Sequence, residues 1–339
     1  MRIMTLLSTK DFVNLQPQSI NPSAMSENQN SIMKMFTEIK DYLVKNTQGK
    51  KKDVALVLSS GGARGLAHIS AIEELESRGY HIKSIAGTSM GALVAGMYAT
   101  GHLETYREWM KGIDKQRIRE LTDYSPSLDH LVQGKKIIDT LKELVPDCSI
   151  DDLPIPYSAI ATDWESGHEV VFTHGSLYDA IRASISLPAF FSPVRTDGKI
   201  LIDGGTTNPL PLNRVARQPG DLLVAVNVCG RDYKAEFTLK RIAEARRIAS
   251  SRWLRLARRM LPGDIDPDFN YFTLLNRTAS IMIHQNAQLS LRLTPPDILL
   301  DLPMRRYGGF DYDKSERIIA IGRERMAKVL DQYEGKKGR

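Results

Sequence analysis

A serine stands between two glycines at Gly87-Thr88-Ser89-Met90-Gly91. Ahead of it, Ile82-Lys83-Ser84-Ile85-Ala86 reads as a short strand. Behind it, Ala92 to Ala99 is a run of small and apolar residues suited to a buried helix. A side chain on so tight a strand-to-helix turn is pushed out of the sheet, and the flanking glycines remove β-carbons that would collide there. The hydroxyl then sits near a helix N-terminus, where unpaired N–H groups favour developing negative charge. Such a serine suits nucleophilic attack on a carbonyl carbon. Alone, the pattern also fits a tight turn with a capping serine.

Two further motifs narrow the choice. Asp53-Val54-Ala55-Leu56-Val57-Leu58 is an apolar run of strand length that leads into Ser59-Ser60-Gly61-Gly62-Ala63-Arg64-Gly65. A helical pattern carrying Leu66, Ile69, Ile72 and Leu75 follows. Strand, glycine loop, helix is an arrangement that turns several backbone N–H groups toward an anion. Downstream, Lys199-Ile200-Leu201-Ile202 ends in Asp203-Gly204-Gly205, a carboxylate at a strand end beside glycines that permit close approach. A nucleophile, an anion-binding loop and a carboxylate thus each stand at the end of a predicted strand. Ester hydrolysis needs those parts: a hydroxyl, a group to take its proton, and donors for the oxygen that becomes negative.

With these segments the chain resembles the patatin-like phospholipase family. The likeness rests on the Gly61 to Gly65 loop, the Gly87 to Gly91 elbow and the Asp203-Gly204-Gly205 turn. It extends to Ala183-Ser184-Ile185-Ser186-Leu187-Pro188 and Asn208-Pro209-Leu210-Pro211, and covers roughly residues 53–213 strongly. The resemblance implies a serine–aspartate catalytic pair without histidine: Ser89 as nucleophile and Asp203 as general base. It further implies an oxyanion hole from the backbone N–H groups around Gly61, Gly62, Ala63 and Arg64. Gly65, Gly87, Gly91, Gly204 and Gly205 then support the motifs. Ser60 departs from the pattern, since many relatives carry a third glycine there, and altered loop detail is the expected result.

The same residues admit other readings. In α/β-hydrolases a histidine follows the acid, and His284 is the one histidine after Asp203. It lies in Ala279 to Asn286, which reads as helix interior. His68, on the helix after the glycine loop, reads as packing. Arg64 either lends positive potential to the oxyanion site or a phosphate, or braces the loop by pairing with a carboxylate, and bracing is favoured. The glycine loop has the wrong spacing for a dinucleotide fingerprint, and no acid ends the next strand.

The 339 residues carry 42% hydrophobic and 25% charged side chains, as ordinary globular domains do. No apolar run approaches the ~20 residues that cross a bilayer, and the first residues are too briefly apolar for a signal peptide. Two cysteines, Cys148 and Cys229, read as reduced packing residues and fit a cytoplasmic setting. No cluster has metal-ligand spacing, so neither a metal nor an organic cofactor is expected. The net charge of +6 invites nucleic acid as a partner, but the excess is concentrated. Lys240, Arg241, Arg246, Arg247, Arg252, Arg255, Arg258 and Arg259 share one stretch with apolar residues at helical spacing. That basic amphipathic stretch, about residues 238–261, suits an anionic membrane surface or is the solvated face of a packed helix.

Residues 1–49 read as an extension, unstructured to about Asn30 and then one helix from Ile32 to Val44. Residues 50–339 read as one hydrolase domain. Alternating strands and helices to Thr100 argue a parallel sheet with crossover helices. Further strands are expected at Tyr157 to Ala161, Glu169 to Phe172, Leu222 to Val228 and Asp297 to Leu300. Helices are expected at Lys135 to Val145, Leu177 to Ser184 and Lys314 to Tyr333. The predicted fold is a three-layer α/β/α sandwich around a mainly parallel sheet. The predicted function is hydrolysis of acyl esters of phospholipids or lysophospholipids at membrane surfaces, with peripheral membrane contact through residues 240–259. The alternatives are an esterase or thioesterase for soluble acyl chains, and a non-catalytic membrane-binding module on a hydrolase scaffold. Oligomeric state, acyl-chain length and headgroup preference have no readable code.

Overall fold

A computed structural model describes residues 52–123, 132–188, 190–230, 271–303 and 307–337. Within the compact unit Asp53–Arg339, eight strands form one sheet: β1 (Asp53–Leu58), β2 (His81–Thr88), β3 (Tyr157–Asp163), β4 (Glu169–Phe172), β5 (Val194–Thr196), β6 (Lys199–Asp203), β7 (Leu222–Gly230) and β8 (Ile298–Pro303). Hydrogen-bonded neighbours follow the path β5-β6-β3-β2-β1-β7-β8, in which β6 and β2 pair with successive parts of β3 and β4 pairs along its other edge. From β3 through β2, β1 and β7 to β8 all neighbours are parallel, while β4, β5 and β6 pair antiparallel. The helices are α1 (Ala67–Ser77), α2 (Met90–Ala99), α3 (Leu103–Lys111), α4 (Lys115–Leu121), α5 (Lys135–Leu144), α6 (Leu177–Ser184), α7 (Tyr271–Leu293) and α8 (Ser315–Lys337).

Helices cover both faces of the central strands, which is why Val54–Leu58 of β1 and Leu222–Val226 of β7 are unbroken apolar runs rather than alternating with polar residues. Val54, Leu56 and Leu58 of β1, with Val224, Val226 and Val228 of β7, face α1, α2 and α8 in the larger core. Ala55 and Val57, with Leu223 and Ala225, face the other way, against Leu210, Leu212 and the α7 residues Ile283, Ala287 and Leu291. The two sides differ in depth. The first is filled by Ile69, Ile72, Met97, Met326 and Leu330; the second is a smaller cluster that mixes alanines with leucines. The result is a three-layer α/β/α sandwich.

The expected strands and helices stand within a few residues of where the residue pattern puts them. Two elements exceed the reading. Helix α7 runs 23 residues, where the pattern marked only Ala279 to Asn286. Strand β5 was not anticipated. It is the short arm of a hairpin whose two-residue turn, Asp197-Gly198, has φ 49° and 72°, the left-handed conformation that Asp-Gly favours at tight hairpins. The extension at residues 1–49 and the basic stretch 238–261 lie outside the described residues. No described helix is long and apolar enough to cross a membrane.

Candidate active site

Ser89 occupies the turn between β2 and α2 with φ 56° and ψ −123°, a conformation that L-residues avoid unless their surroundings impose it. The surroundings here are backbone on backbone. A β-carbon on Gly87 would stand 2.3 Å from Gly91 O, and one on Gly91 would stand 2.4 Å from Leu58 O. The elbow is thus pressed against the end of β1, and only glycine fits on either side of the serine. Ser89 itself is half-buried.

Strand pairing brings the acid to this point. Thr88 at the end of β2 pairs with Ile160 of β3, and Asp203 at the end of β6 pairs with the next residue, Ala161. Strand β4 pairs with Ala159 through Thr162 and takes the opposite edge of β3. Because a strand has two edges, β2 and β6 share one edge, run toward each other and stop head to head. Their terminal side chains meet: Ser89 Oγ donates a hydrogen bond of 2.5 Å to Asp203 Oδ2. Gly205 N–H donates to the other carboxylate oxygen at 2.7 Å. Gly204 is needed at this junction, since a β-carbon there would lie 2.2 Å from Ile160 O. Asp203 is 5% exposed. Burial raises its carboxyl pKa to about 6 from an ordinary 3.8, and the bonds from Ser89 and Gly205 oppose that shift.

The glycine loop follows β1 at the place where the strand order reverses between β1 and β7, the crevice where open α/β sheets receive ligands. Ser59 N–H donates to Val226 O at 3.0 Å and Ser60 N–H to Pro209 O at 2.8 Å. Ser60 is accommodated by Gly205: a β-carbon there would come within 3.1 Å of Ser60 Oγ. Gly62 has φ 55° and lies so close to Gly309 that an added β-carbon would stand 2.3 Å from Gly309 O. Ala63 N–H donates to that same Gly309 O at 2.8 Å, so it is turned to the chain and not to Ser89. Gly65 packs on Met90, the first residue of α2. Arg64 braces the loop by donating from Nε to Gly61 O at 2.9 Å. Burial lowers the Arg64 pKa from its ordinary value.

Neither His68 nor His284 reaches the pair through a hydrogen bond. His68 is fully buried, its Nε2–H donates to Ser59 O at 2.9 Å, and burial pushes its pKa down to about 4. It is a neutral brace beneath the glycine loop. His284 lies within α7 and donates from Nδ1 to Cys229 O at 2.8 Å. Among the described residues no group of three His, Cys, Asp or Glu side chains could hold a metal ion. Two contributors escaped the residue-level reading. Gly309 comes from a loop near the C-terminal helix with no motif to mark it. Ser184 Oγ accepts the Ser89 N–H at 2.8 Å; the segment around it was noted, but nothing in its residues disclosed that contact.

The patatin-like phospholipase family model matches residues 56–216, a span that holds the glycine loop, the elbow and the aspartate turn. An uncharacterized NTE family protein of Mycobacterium tuberculosis is 33% identical over 331 residues, covering 83% of this chain and 92% of that protein. A second such M. tuberculosis protein is 30% identical over 182 residues, 52% of this chain and 30% of its own length. The neuropathy target esterase sws of Drosophila melanogaster is 30% identical over 204 residues, 58% of this chain and 14% of its own length. Near-complete coverage of a relative at this identity, together with the family model, makes the chain a member of the NTE family of patatin-like phospholipases, a family of lipid hydrolases.

Proposed function

We propose that the chain hydrolyses fatty-acyl esters of phospholipids or lysophospholipids, with Ser89 as nucleophile and Asp203 as general base and acid. Ser89 Oγ attacks the ester carbonyl carbon while its proton passes to Asp203 Oδ2. The carboxylic acid so formed returns the proton to the departing alkoxide, leaving an acyl-serine. Water then gives its proton to Asp203 and attacks the acyl carbon, and Ser89 recovers a proton as the fatty acid leaves. A carboxylate is a weaker base than imidazole, so the donors to the developing oxyanion carry more of the catalysis. Removing one such donor typically costs ~3 kcal/mol. Gly61, Gly62 and Arg64 are assigned that role, because the N–H of Ala63 is spent on Gly309 O. Contact with anionic membrane through residues 240–259 belongs to the same proposal.

The observation that carries the reading is the 2.5 Å bond between Ser89 and Asp203, 114 residues apart in the chain. The test is fatty-acid release from lysophosphatidylcholine micelles and phosphatidylcholine vesicles by the wild type and by Ser89→Ala. Wild-type release with none from the variant is expected, and kcat/KM should rise through pH 6 as Asp203 ionises. Undiminished release by a folded Ser89→Ala protein would overturn the assignment. Labelling of Ser89 by a fluorophosphonate distinguishes a catalyst from a membrane-binding scaffold.

A further inference from the structure

The register between β2 and β3 calls for a hydrogen bond that the elbow does not make. Ile85 pairs with Tyr157, and its N–H donates to Pro156 O, one residue earlier, at 2.9 Å. A parallel ladder repeats every second residue. Continued along both strands, the pattern takes Gly87 N–H to Ser158 O and Ser89 N–H to Ile160 O. At the last of these steps a hydroxyl stands between the partners. Ser89 N–H donates to Ser184 Oγ at 2.8 Å, and Ser184 Oγ donates to Ile160 O at 2.6 Å. Ser184 is fully buried at the C-terminal end of α6.

We propose that Ser184 is a positioning residue for the nucleophile: its hydroxyl is a spacer inserted into the β2–β3 ladder. This rests on the reading of Ser89 and Asp203 as the reacting pair. A direct bond from Ser89 N–H to Ile160 O would continue β2 as a strand and draw Ser89 toward extended backbone. The spacer satisfies both groups while leaving room for φ 56°. The same short segment also holds the acid. Ser186 O, two residues on, accepts Asp203 N–H at 2.9 Å. Arg182 fixes that segment, donating to Ser186 Oγ at 2.6 Å and to Ser192 O at 2.9 Å. Residues 184–186 therefore grip the main chain of both Ser89 and Asp203, and the separation of the two side chains follows from that grip.

The test compares Ser184→Ala, Ser184→Thr and Ser184→Cys in the full chain, with Ser89→Ala run beside them, on lysophosphatidylcholine. Ser184→Ala should lower kcat roughly 10- to 100-fold with KM little changed, the effect of misplacing a reacting group by about 1 Å. The acid limb of the pH profile should also move to higher pH, because a weaker bond from Ser89 no longer holds the Asp203 pKa down. Ser184→Thr, which restores a hydroxyl, should recover most of the rate. Should Ser184→Ala fail to fold, Ser184→Cys carries the comparison: its thiol is a weaker donor and acceptor, so an intermediate rate and a partial shift of the limb are expected. Wild-type kcat and pH profile in the folded Ser184→Ala or Ser184→Cys protein would overturn the spacer role. So would equal losses in the Ala and Thr variants at equal thermal stability. An active Ser89→Ala protein would instead remove the pair on which the proposal rests.

Discussion

Replacing Asp203 with asparagine should abolish hydrolysis and at the same time make the protein more stable near neutral pH. The carboxyl is held at about 6 by burial, against an ordinary 3.8. The unfolded chain therefore releases this proton about two pH units before the folded one does. Stability from this group is fully present below pH 3.8 and is lost as the pH rises through 6, after which nothing further changes. At 1.36 kcal/mol per pH unit, the loss over the whole window is about 3 kcal/mol. About 2 kcal/mol of that falls between pH 4.5 and 7.5. Asparagine imitates the protonated acid: its oxygen can accept from Gly205 N–H and its amide can donate to Ser89. The variant should therefore fold with the same contacts and without the pH-dependent loss. Urea unfolding of both proteins at several pH values measures this directly. The stability of Asp203→Asn minus that of the wild type should grow by about 2 kcal/mol from pH 4.5 to 7.5, and other titrating groups cancel in the difference. A difference that stays flat across this range would refute the claim that burial holds the Asp203 proton, and with it the expected rise of activity through pH 6.

Two further substitutions probe the surroundings of the pair. Gly62→Ala places a side chain at φ 55° and 2.3 Å from Gly309 O, so the glycine loop and the segment around Gly309 must separate. Thermal or urea unfolding should show a loss of about 1–3 kcal/mol, and misplacing an oxyanion donor should lower kcat by on the order of 100-fold. His284→Ala should leave kcat close to that of the wild type, because this histidine bonds to Cys229 O and not to the pair; near-complete loss of turnover in a folded His284→Ala protein would point to a histidine mechanism instead.

Much of this arrangement is legible from residue types alone, because the parts that position it have strong local signatures. The apolar run Val54 to Leu58 is long and unbroken since both faces of β1 are covered, and Gly87 and Gly91 are dictated by backbone contacts that no other residue permits. What escaped notice depends on contacts distant in sequence. Ser184 meets Ser89 across 95 residues, and a lone serine near a helix end has no periodicity to give it away. Gly309 is likewise one glycine in a loop, and its carbonyl matters only because the fold delivers it to Ala63. Arg64 is readable as a brace, but Gly61 O as an acceptor is set by which group the turn presents. The hairpin at Asp197-Gly198 had a readable turn, yet Val194–Thr196 is too short and polar to stand out as a strand.

The head-to-head meeting of β2 and β6 on one edge of β3 ties the ends of both strands to consecutive residues of a single strand. Thr88 pairs with Ile160 and Asp203 with Ala161, so Asp203 and the residue before Ser89 sit on adjacent rungs, and residues 184–186 hold the main chain of Ser89 and Asp203 beside them. The excursion from Gly101 to Thr122 makes no hydrogen bond to Ser89, Asp203 or residues 184–186, so its length and composition do not set the distance between the hydroxyl and the carboxylate. Chemistry and choice of substrate are thereby free to diverge at different speeds, and a graft that exchanges this excursion between relatives should alter which lipid is cut while leaving the cutting itself intact.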